Sequence, residues 1–314
     1  RQQRRALQRG DRERAQLPTI TLLGEMFPAD PVGIGHLLAP MGLAAGPVVP
    51  TREWRELYAA LDCAAVAAIH PFYTACVREF EAAGRAVVGS APVGVEGTAD
   101  WLAAIGEACG IAADKVAAAQ NAALPAIRGA LAARPIRGRV TVTGYEGSEL
   151  LVGRLLIESG AEVPYVGTAC PRTRFNEADR QWLEAKGCEV VFRASLERDL
   201  AAVDFHRPDL AIGTTPVVQH AKARAVPALY FTNLISARPL MGPAGAGSLA
   251  QVINAAIAGK ARMEAMETFF AGVGEGATAG VWERGTVPAD RPDFKAKFAA
   301  KAAAARKAEE AVGS

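Results

Sequence analysis

Short, continuous apolar runs alternate with amphipathic segments along most of the chain. Runs such as 19–23, 63–69 and 139–143 predict strands. Because the run 63–69 is apolar throughout rather than at every second position, both faces of its strand should be covered, as in parallel sheets. The amphipathic segments between them predict helices. The pattern indicates an α/β fold with two consecutive Rossmann-like, doubly wound parallel sheets.

The alternation pauses at 135–138 and then restarts, which divides the chain. We predict a charged lead segment, a first Rossmann-like domain, a second Rossmann-like domain, and a flexible segment with a C-terminal helix, over 1–16, 17–134, 135–271 and 272–314. A cleft should lie between the two Rossmann-like domains.

The stretch 227–248 combines a short apolar run with a long Pro- and Gly-punctuated segment. It predicts a strand, a loop over 232–248 and a helix capped by Ser248. Loops that leave the carboxyl ends of parallel strands form ligand sites in such folds. We therefore interpret this loop as a pocket wall, with an elaborate surface connection as the alternative.

The bulk composition excludes several classes of protein. Lysine and arginine exceed aspartate and glutamate by only two, so nothing indicates a nucleic-acid partner. The five cysteines show no zinc-type spacing, and no apolar run is long enough to span a membrane. We expect a cytoplasmic protein. The chain begins at Arg1 in what reads as mid-protein sequence, so we also expect a fragment.

Standard cofactor motifs are missing, but three places could carry chemistry. The chain has neither a GxGxxG dinucleotide motif nor a P-loop. The turn 143–148 could bind an anion, although a plain N-cap by Ser148 is the simpler interpretation. Glu25 and His70 each follow a buried strand, where a titratable side chain needs a partner or a function.

Four stretches carry a resemblance to a known family. They read ITLLGEMFPADPVGIGHLLAPMGL, AAIHPFYTACVREFEAAG, RPDLAIGTTPVVQHAKARAVPALYFTN and SARPLMGPAGAGSLAQVINAAI, and together they span most of 19–272. This layout resembles the second and third domains of nitrogenase-like α-subunits. The last stretch is similar to the Y-type subunits of chlorophyllide a reductases.

In nitrogenase the corresponding loops supply one cysteine and one histidine to a metallocluster. The resemblance puts Pro71 and Thr232 at those positions, and neither offers a soft donor for iron. A flat tetrapyrrole suits the replacing residues better, because several are apolar or aromatic. The predicted substrate-binding residues are Met26, Phe27, Phe72, Tyr73, Thr232, Asn233, Pro239 and Met241.

The resemblance also implies a reaction and its partners. The family reaction is an ATP-dependent, two-electron reduction of the C7=C8 bond of chlorophyllide a in bacteriochlorophyll biosynthesis in photosynthetic bacteria. Electrons come from an ATP-hydrolysing iron-sulfur component through a [4Fe-4S] cluster, held between this type of subunit and a Z-type subunit in a heterotetramer. The family's cluster cysteines precede the matched region, so we expect no metal ligand in this chain. Glu25 and His70 are the candidate proton donors.

Three other roles stay open at this point, and one of them is a purely structural half of a heterotetramer. A cofactor-assembly scaffold would keep the fold and bind a metal cluster transiently. A two-domain binding or glycosyl-transfer protein would share the double Rossmann layout, although the chain has no clear Gly-rich diphosphate cradle.

Overall fold

The computed structural model describes residues 17–24, 30–70, 73–270, 299, 300 and 303 of the 314-residue chain. The chain divides into two compact units, 1–259 and 260–314, and both β-sheets belong to the first. The boundaries predicted from the sequence within that first unit stay predictions.

The first half of this unit contains four strands, β1 (Thr19–Leu23), β2 (Ala44–Val49), β3 (Ala65–Ala68) and β4 (Ala86–Gly89). They form a parallel sheet in the order β2-β1-β3-β4. The strand register places Leu23 beside Val49 and Ala68, and Ala68 beside Gly89, so all four strands end at the same level. The helices of this half are α1 (Pro31–Leu38), α2 (Glu56–Leu61), α3 (Thr74–Ala82), α4 (Gly94–Ala108) and α5 (Ala113–Ala133), with a short 3₁₀ turn at Ala39–Met41.

The second half contains five strands, β5 (Arg139–Gly144), β6 (Glu162–Thr168), β7 (Glu189–Phe192), β8 (Leu210–Gly213) and β9 (Ala228–Tyr230). Their parallel order, β7-β6-β5-β8-β9, is that of a Rossmann sheet, with the change of direction between β5 and β8. The helices that follow the first four of these strands are α6 (Glu149–Glu158), α7 (Glu177–Ala185), α8 (Leu196–His206) and α9 (Thr215–Lys222). The predicted fold class, two successive parallel α/β sheets, is confirmed.

The start of α4 differs from the prediction. The Pro- and Gly-containing segment 92–97 predicted a turn before a helix starting at Trp101, but the helix begins at Gly94. The carboxylate of Glu158 accepts hydrogen bonds from the backbone amides of Val95 and Glu96. The cap therefore comes from α6, more than sixty residues along the chain, where no local sequence signal can show it.

The long loop predicted over 232–248 is wrong. The segment folds into α10 (Phe231–Ser236) and α11 (Gly242–Ala246), and α12 (Ala250–Ala258) follows. Ser248 does not cap α12, because its hydroxyl donates instead to the carbonyl of Pro239 at 2.6 Å. Gly245 permits this compact path, since a Cβ there would overlap the carbonyl of Leu240. Hence the segment after β9 is helical and packed against the core rather than an extended loop.

One hydrophobic core joins the two sheets. It contains Ile20 and Leu22 of β1, Val140 and Val142 of β5, and residues of α4, α5 and α6. Helix α6 is buried from Glu149 through Leu156, as expected for a helix covered on all sides. The two sheets are thus packed as one body within the first unit.

The second unit begins with α13 (Lys260–Phe270). Of the segment 272–314, for which a flexible stretch and a C-terminal helix were predicted, only residues 299, 300 and 303 are described, and they are helical. Among the described residues, no helix has both the length and the apolar character needed to cross a membrane.

Candidate functional site

The carboxyl ends of the two sheets meet at His70 and Glu146. His70 follows β3 and is 6% exposed. Its ring packs edge-on against Tyr73, with ring centroids 5.7 Å apart. Burial lowers the pKa of His70, whereas a hydrogen bond with the Glu146 backbone and the charge of the Glu146 carboxylate oppose this. The predicted strand-end histidine is therefore in contact with the turn after β5.

The turn between β5 and α6 is built around the buried carboxylate of Glu149. This carboxylate accepts hydrogen bonds from the amides of Glu146 at 2.7 Å and Gly147 at 2.8 Å, and from the Thr168 hydroxyl at 2.9 Å. Burial raises the pKa of Glu149 and these donors oppose the rise. Ser148 occupies the N-cap position but makes no side-chain cap, so the predicted capping role is wrong. Two amides that could have met an external anion are already used by Glu149.

Glu146 itself was not among the predicted site residues. Its carboxylate Oε1 accepts a hydrogen bond of 2.7 Å from Oγ1 of Thr232, a residue of α10 86 positions later in the chain. The sequence identified the turn but attributed it to capping, and only the tertiary fold brings Thr232 to it. The structure thus places His70, Glu146 and Thr232 together where the two sheets meet.

A cavity of about 500 Å³ opens beside Thr232 at the carboxyl ends of β8 and β9. Its volume falls within the range of small-molecule sites. Two tyrosine rings give it aromatic surface, and hydroxyl and amide groups give it hydrogen-bonding capacity. It is lined by Tyr145, Gly213, Thr214, Thr215, Pro216, Tyr230, Phe231, Thr232 and Asn233.

The other predicted site residues are separated by the fold. Pro239 is half-buried and its carbonyl accepts the hydrogen bond from Ser248. Met241 is 2% exposed and lies in the main core, so its side chain packs in the protein interior and offers no surface to a ligand. Glu25, Met26, Phe27 and Phe72 lie outside the described residues, as does Pro71.

A buried ion pair joins α6 to α7 near the carboxyl end of β4. Arg154 of α6 donates from Nη1 to Asp179 Oδ1 of α7 at 2.5 Å, and the same oxygen accepts from the Ser90 hydroxyl at 3.1 Å. Burial raises the pKa of Asp179, and the guanidinium opposes that rise. Because Ser90 follows β4 while Arg154 and Asp179 belong to the second half, this network ties the two sheets together.

The described residues do not form a metal site. They include no group of three or more histidine, cysteine, aspartate or glutamate side chains arranged to hold an ion. The five cysteines are free thiols, and Cys63, Cys170 and Cys188 are buried. Burial raises the pKa of Cys170 and of Cys188 to about 12, which disfavours the thiolate that a cluster needs. The donors described here do not fit an iron-sulfur cluster.

Two doubly wound sheets with a ligand-sized cavity at their strand ends define a Rossmann-type binding architecture. Residues 4–258 match the family described as nitrogenase component 1 type oxidoreductase. The chain belongs to this family, so the resemblance inferred from the sequence is confirmed.

Three curated proteins of known description are similar in sequence to this chain. Over 302 residues the chain is 73% identical to the chlorophyllide reductase 52.5 kDa chain of Cereibacter sphaeroides and 67% identical to the chain of the same description from Rhodobacter capsulatus. Each alignment covers 95% of this chain and 60% of the relative, so the chain spans less than two thirds of their length. Light-independent protochlorophyllide reductase subunit N of a Synechococcus strain is 25% identical over 240 residues, which cover 75% of this chain and 56% of that one.

Solved structures agree on the fold. Nitrogenase Cp1 at pH 5 matches with a TM-score of 0.61 at 12% identity, covering 76% of this chain and 56% of that chain. Nitrogenase Cp1 at pH 6.5 matches with a TM-score of 0.59 at 19% identity, covering 78% and 61%. At such identities the likeness shows the shared architecture.

Proposed function

We propose that this chain is part of a nitrogenase-like reductase subunit that acts on chlorophyllide in bacteriochlorophyll biosynthesis. The observation that carries the proposal is the 73% identity, over 95% of this chain, to a chlorophyllide reductase chain. The site is compatible with an organic substrate, because tyrosine rings, hydroxyls and an amide line its cavity.

In detail, the proposed reaction is the ATP-dependent reduction of the C7=C8 bond of chlorophyllide a. Two electrons come from an ATP-hydrolysing iron-sulfur partner, and a Z-type subunit completes a heterotetramer. A [4Fe-4S] cluster belongs to the complete complex, with its ligands outside the residues described here. These particulars follow from the family resemblance and are part of the proposal.

Within the chain, the macrocycle is proposed to contact the cavity beside Thr232. The exposed ring of Tyr145 and the partly exposed ring of Tyr230 offer surfaces for a planar π-system. Thr232 and Asn233 provide polar groups at the same cavity, and Tyr73 lies toward the first sheet beside His70. Met26, Phe27 and Phe72 stay proposed contacts from their sequence positions alone.

His70 is the proposed proton donor on the described side of the site, and Glu25 stays a second candidate. Reduction of a carbon-carbon double bond by two electrons requires two protons. His70 is buried where the sheets meet, and burial lowers its pKa, which makes its imidazolium a stronger acid. The His70 imidazolium gives up its proton as a C–H bond forms on the substrate, which leaves a neutral imidazole.

The test is to reconstitute this chain with the proposed partner subunits and the iron-sulfur component. The reduction of chlorophyllide is then followed by its absorbance change. Replacing Tyr145 by alanine should weaken pigment binding about fivefold, since an aromatic stacking contact contributes about 1 kcal/mol. Tyr58→Ala is the matched control, because Tyr58 is also an exposed tyrosine but lies on α2, outside the cavity-lining set. Equal binding by both variants would contradict the proposed contact, and no pigment reduction by the wild-type complex would contradict the function.

The same experiment separates the two alternatives. A cofactor-assembly scaffold should take up a metal cluster without reducing pigment. A glycosyl-transfer protein should bind a nucleotide sugar, yet the β5–α6 turn, where a diphosphate would meet backbone amides, is occupied by Glu149. That occupation favours the reductase over the glycosyl-transfer protein.

A further inference from the structure

The hydroxyl of Thr232 links the cavity to a carboxylate. Thr232 belongs to α10 and lines the cavity at the carboxyl ends of β8 and β9. Its Oγ1 donates to Oε1 of Glu146 over 2.7 Å. Tyr145, the residue before Glu146, lines the same cavity, so this hydrogen bond joins two segments of the cavity wall.

This hydrogen bond decides what the Thr232 hydroxyl can offer a ligand. A threonine hydroxyl has one proton to donate and two lone pairs that accept, whereas a carboxylate only accepts. Because the proton is committed to Glu146, only the oxygen lone pairs of Thr232 are left for a ligand. A carboxylate behind a metal-binding side chain also makes that side chain a better electron-pair donor. The hydroxyl therefore suits a cation.

The turn that carries Glu146 is held in place. The amides of Glu146 and Gly147 donate to the buried carboxylate of Glu149, which also accepts from the Thr168 hydroxyl on β6. In the described ranges no lysine or arginine forms an ion pair with Glu146. Its charge is thus not neutralised by a neighbouring side chain of the described chain and can act on the Thr232 hydroxyl.

We propose that Thr232 is an axial ligand of the substrate's magnesium ion, and that Glu146 is a positioning residue that keeps the hydroxyl oxygen free for that ion. The inference rests on the proposed function, because chlorophyllide is a magnesium chlorin. Magnesium prefers oxygen ligands. The ring nitrogens of the chlorin already bind the ion, so the protein needs to add only an axial oxygen. No group of three or more ligating side chains, which the described residues lack, is required.

The other residues of the cavity are compatible with a macrocycle held in this way. An axial ligand lies on one face of the macrocycle, so the pyrrole rings extend over the residues around Thr232. Tyr145 and Tyr230, which are 55% and 37% exposed, line the same cavity and offer aromatic surface there. Among the described residues that line the cavity, Thr232 alone donates from its side chain to a carboxylate, so its oxygen is the one prepared for a cation.

The test compares chlorophyllide a with pheophorbide a, the same macrocycle without magnesium. Each pigment is titrated into the reconstituted complex in the absence of ATP, so that no reduction follows, and binding is measured by the change in pigment fluorescence. The wild type should bind chlorophyllide about tenfold more tightly than pheophorbide, since one contact to a charged group contributes at least that factor. Thr232→Val keeps the shape of the side chain and removes the oxygen, so the two pigments should bind equally.

Three further variants separate coordination from packing. Thr232→Ser retains a hydroxyl and should keep most of the preference for chlorophyllide. Glu146→Gln removes the charge and should lose part of that preference, because groups that support a metal ligand contribute to metal affinity. Thr51→Val is the matched control: Thr51 is also half-buried but lies outside the cavity-lining set, so the preference should stay at the wild-type value.

The outcomes distinguish the inference from the proposed function. Equal binding of the two pigments by the wild type, or an unchanged preference in Thr232→Val, overturns the axial ligand. A full preference in Glu146→Gln overturns the positioning role. Each of these results leaves the proposed function intact, whereas a wild-type complex that binds neither pigment contradicts it. Affinity for pheophorbide shows whether a variant is folded, and Thr232→Ala replaces Thr232→Val if that variant fails this check.

Discussion

Removing one partner of the buried Arg154–Asp179 pair should destabilise the first unit strongly. The two side chains are 3% and 4% exposed, and their closest atoms lie 2.5 Å apart. In Arg154→Met the Asp179 carboxylate would stay buried with the Ser90 hydroxyl as its remaining described partner. Uncompensated buried charges of this kind cost about 3–5 kcal/mol. We therefore expect the free energy of unfolding to fall by that amount at neutral pH.

The loss should depend on pH in a defined direction. Without the guanidinium, the pKa of Asp179 in the folded state rises further above its unfolded value, so the folded state binds a proton more readily. A group of this kind stabilises the fold below its unfolded pKa and loses that contribution as the pH rises through its folded pKa. Arg154→Met should therefore be less damaging at pH 5 than at pH 8.

Urea unfolding followed by far-UV circular dichroism measures this effect. Tryptophan fluorescence would be a poor probe, because the Trp182 ring lies 4.8 Å from the Arg154 guanidinium carbon. With a slope of about 3 kcal/mol per molar urea, the midpoint should fall by roughly 1–1.7 M. Arg198→Met is the control, since Arg198 and Glu189 form an exposed pair that should contribute less than about 1 kcal/mol.

The double variant Arg154→Met with Asp179→Leu completes the cycle. It should recover at least half of the single-variant loss, because apolar replacements of buried pairs are often nearly neutral. The reasoning is refuted if Arg154→Met shifts the midpoint no more than Arg198→Met, or if the double variant loses the sum of the two single losses.

Three further predictions concern packing, the turn and pH. Gly245→Ala should destabilise the fold by about 3 kcal/mol in urea unfolding, because the added Cβ would overlap the Leu240 carbonyl. Gly129→Ala is the control: the space around Gly129 in α5 is open, so this change should stabilise the fold by up to about 1 kcal/mol. Equal effects of the two changes would refute this packing. Glu149→Gln should cost about 2 kcal/mol, since an amide nitrogen cannot accept the hydrogen bonds that end on one carboxylate oxygen, and an unchanged urea midpoint would contradict that role. Because the pKa of His70 is lowered in the fold, the free energy of unfolding of the wild type should fall as the pH falls below about 6.5. His70→Gln should show a smaller fall between pH 7.5 and 5.5. If the two proteins lose stability equally over this range, the pKa of His70 is not lowered.

The sequence was sufficient for the order and type of most strands and helices because local apolar periodicity determines them. Strand β1 has the bounds that its run predicted, Thr19–Leu23, and the runs 63–69 and 139–143 contain or overlap β3 and β5. The failures occurred where a distant residue supplies the local requirement. Helix α4 starts early because Glu158 caps it, and the 232–248 segment is helical because it packs on the core.

The candidate site was only partly predictable for a related reason. Strand-end placement identified His70, since the carboxyl ends of parallel strands form ligand sites. Family alignment identified Thr232 as a departure from a metal ligand. Neither argument could find Glu146, because its significance comes from a hydrogen bond to Thr232, which is a long-range contact.

The shared core also limits how this protein can work. Two-domain α/β proteins often close around a ligand by a hinge motion, and that motion contributes to selecting the ligand. Here the two sheets share one continuous hydrophobic cluster, and the amide of Gly242, beyond β9, donates to the carbonyl of Pro92 in the first half. A hinge would have to break this packing, so we expect the cavity beside Thr232 to be preformed and its shape to select the proposed ligand. Access to it should then be regulated by whatever docks over its open side rather than by movement within the chain.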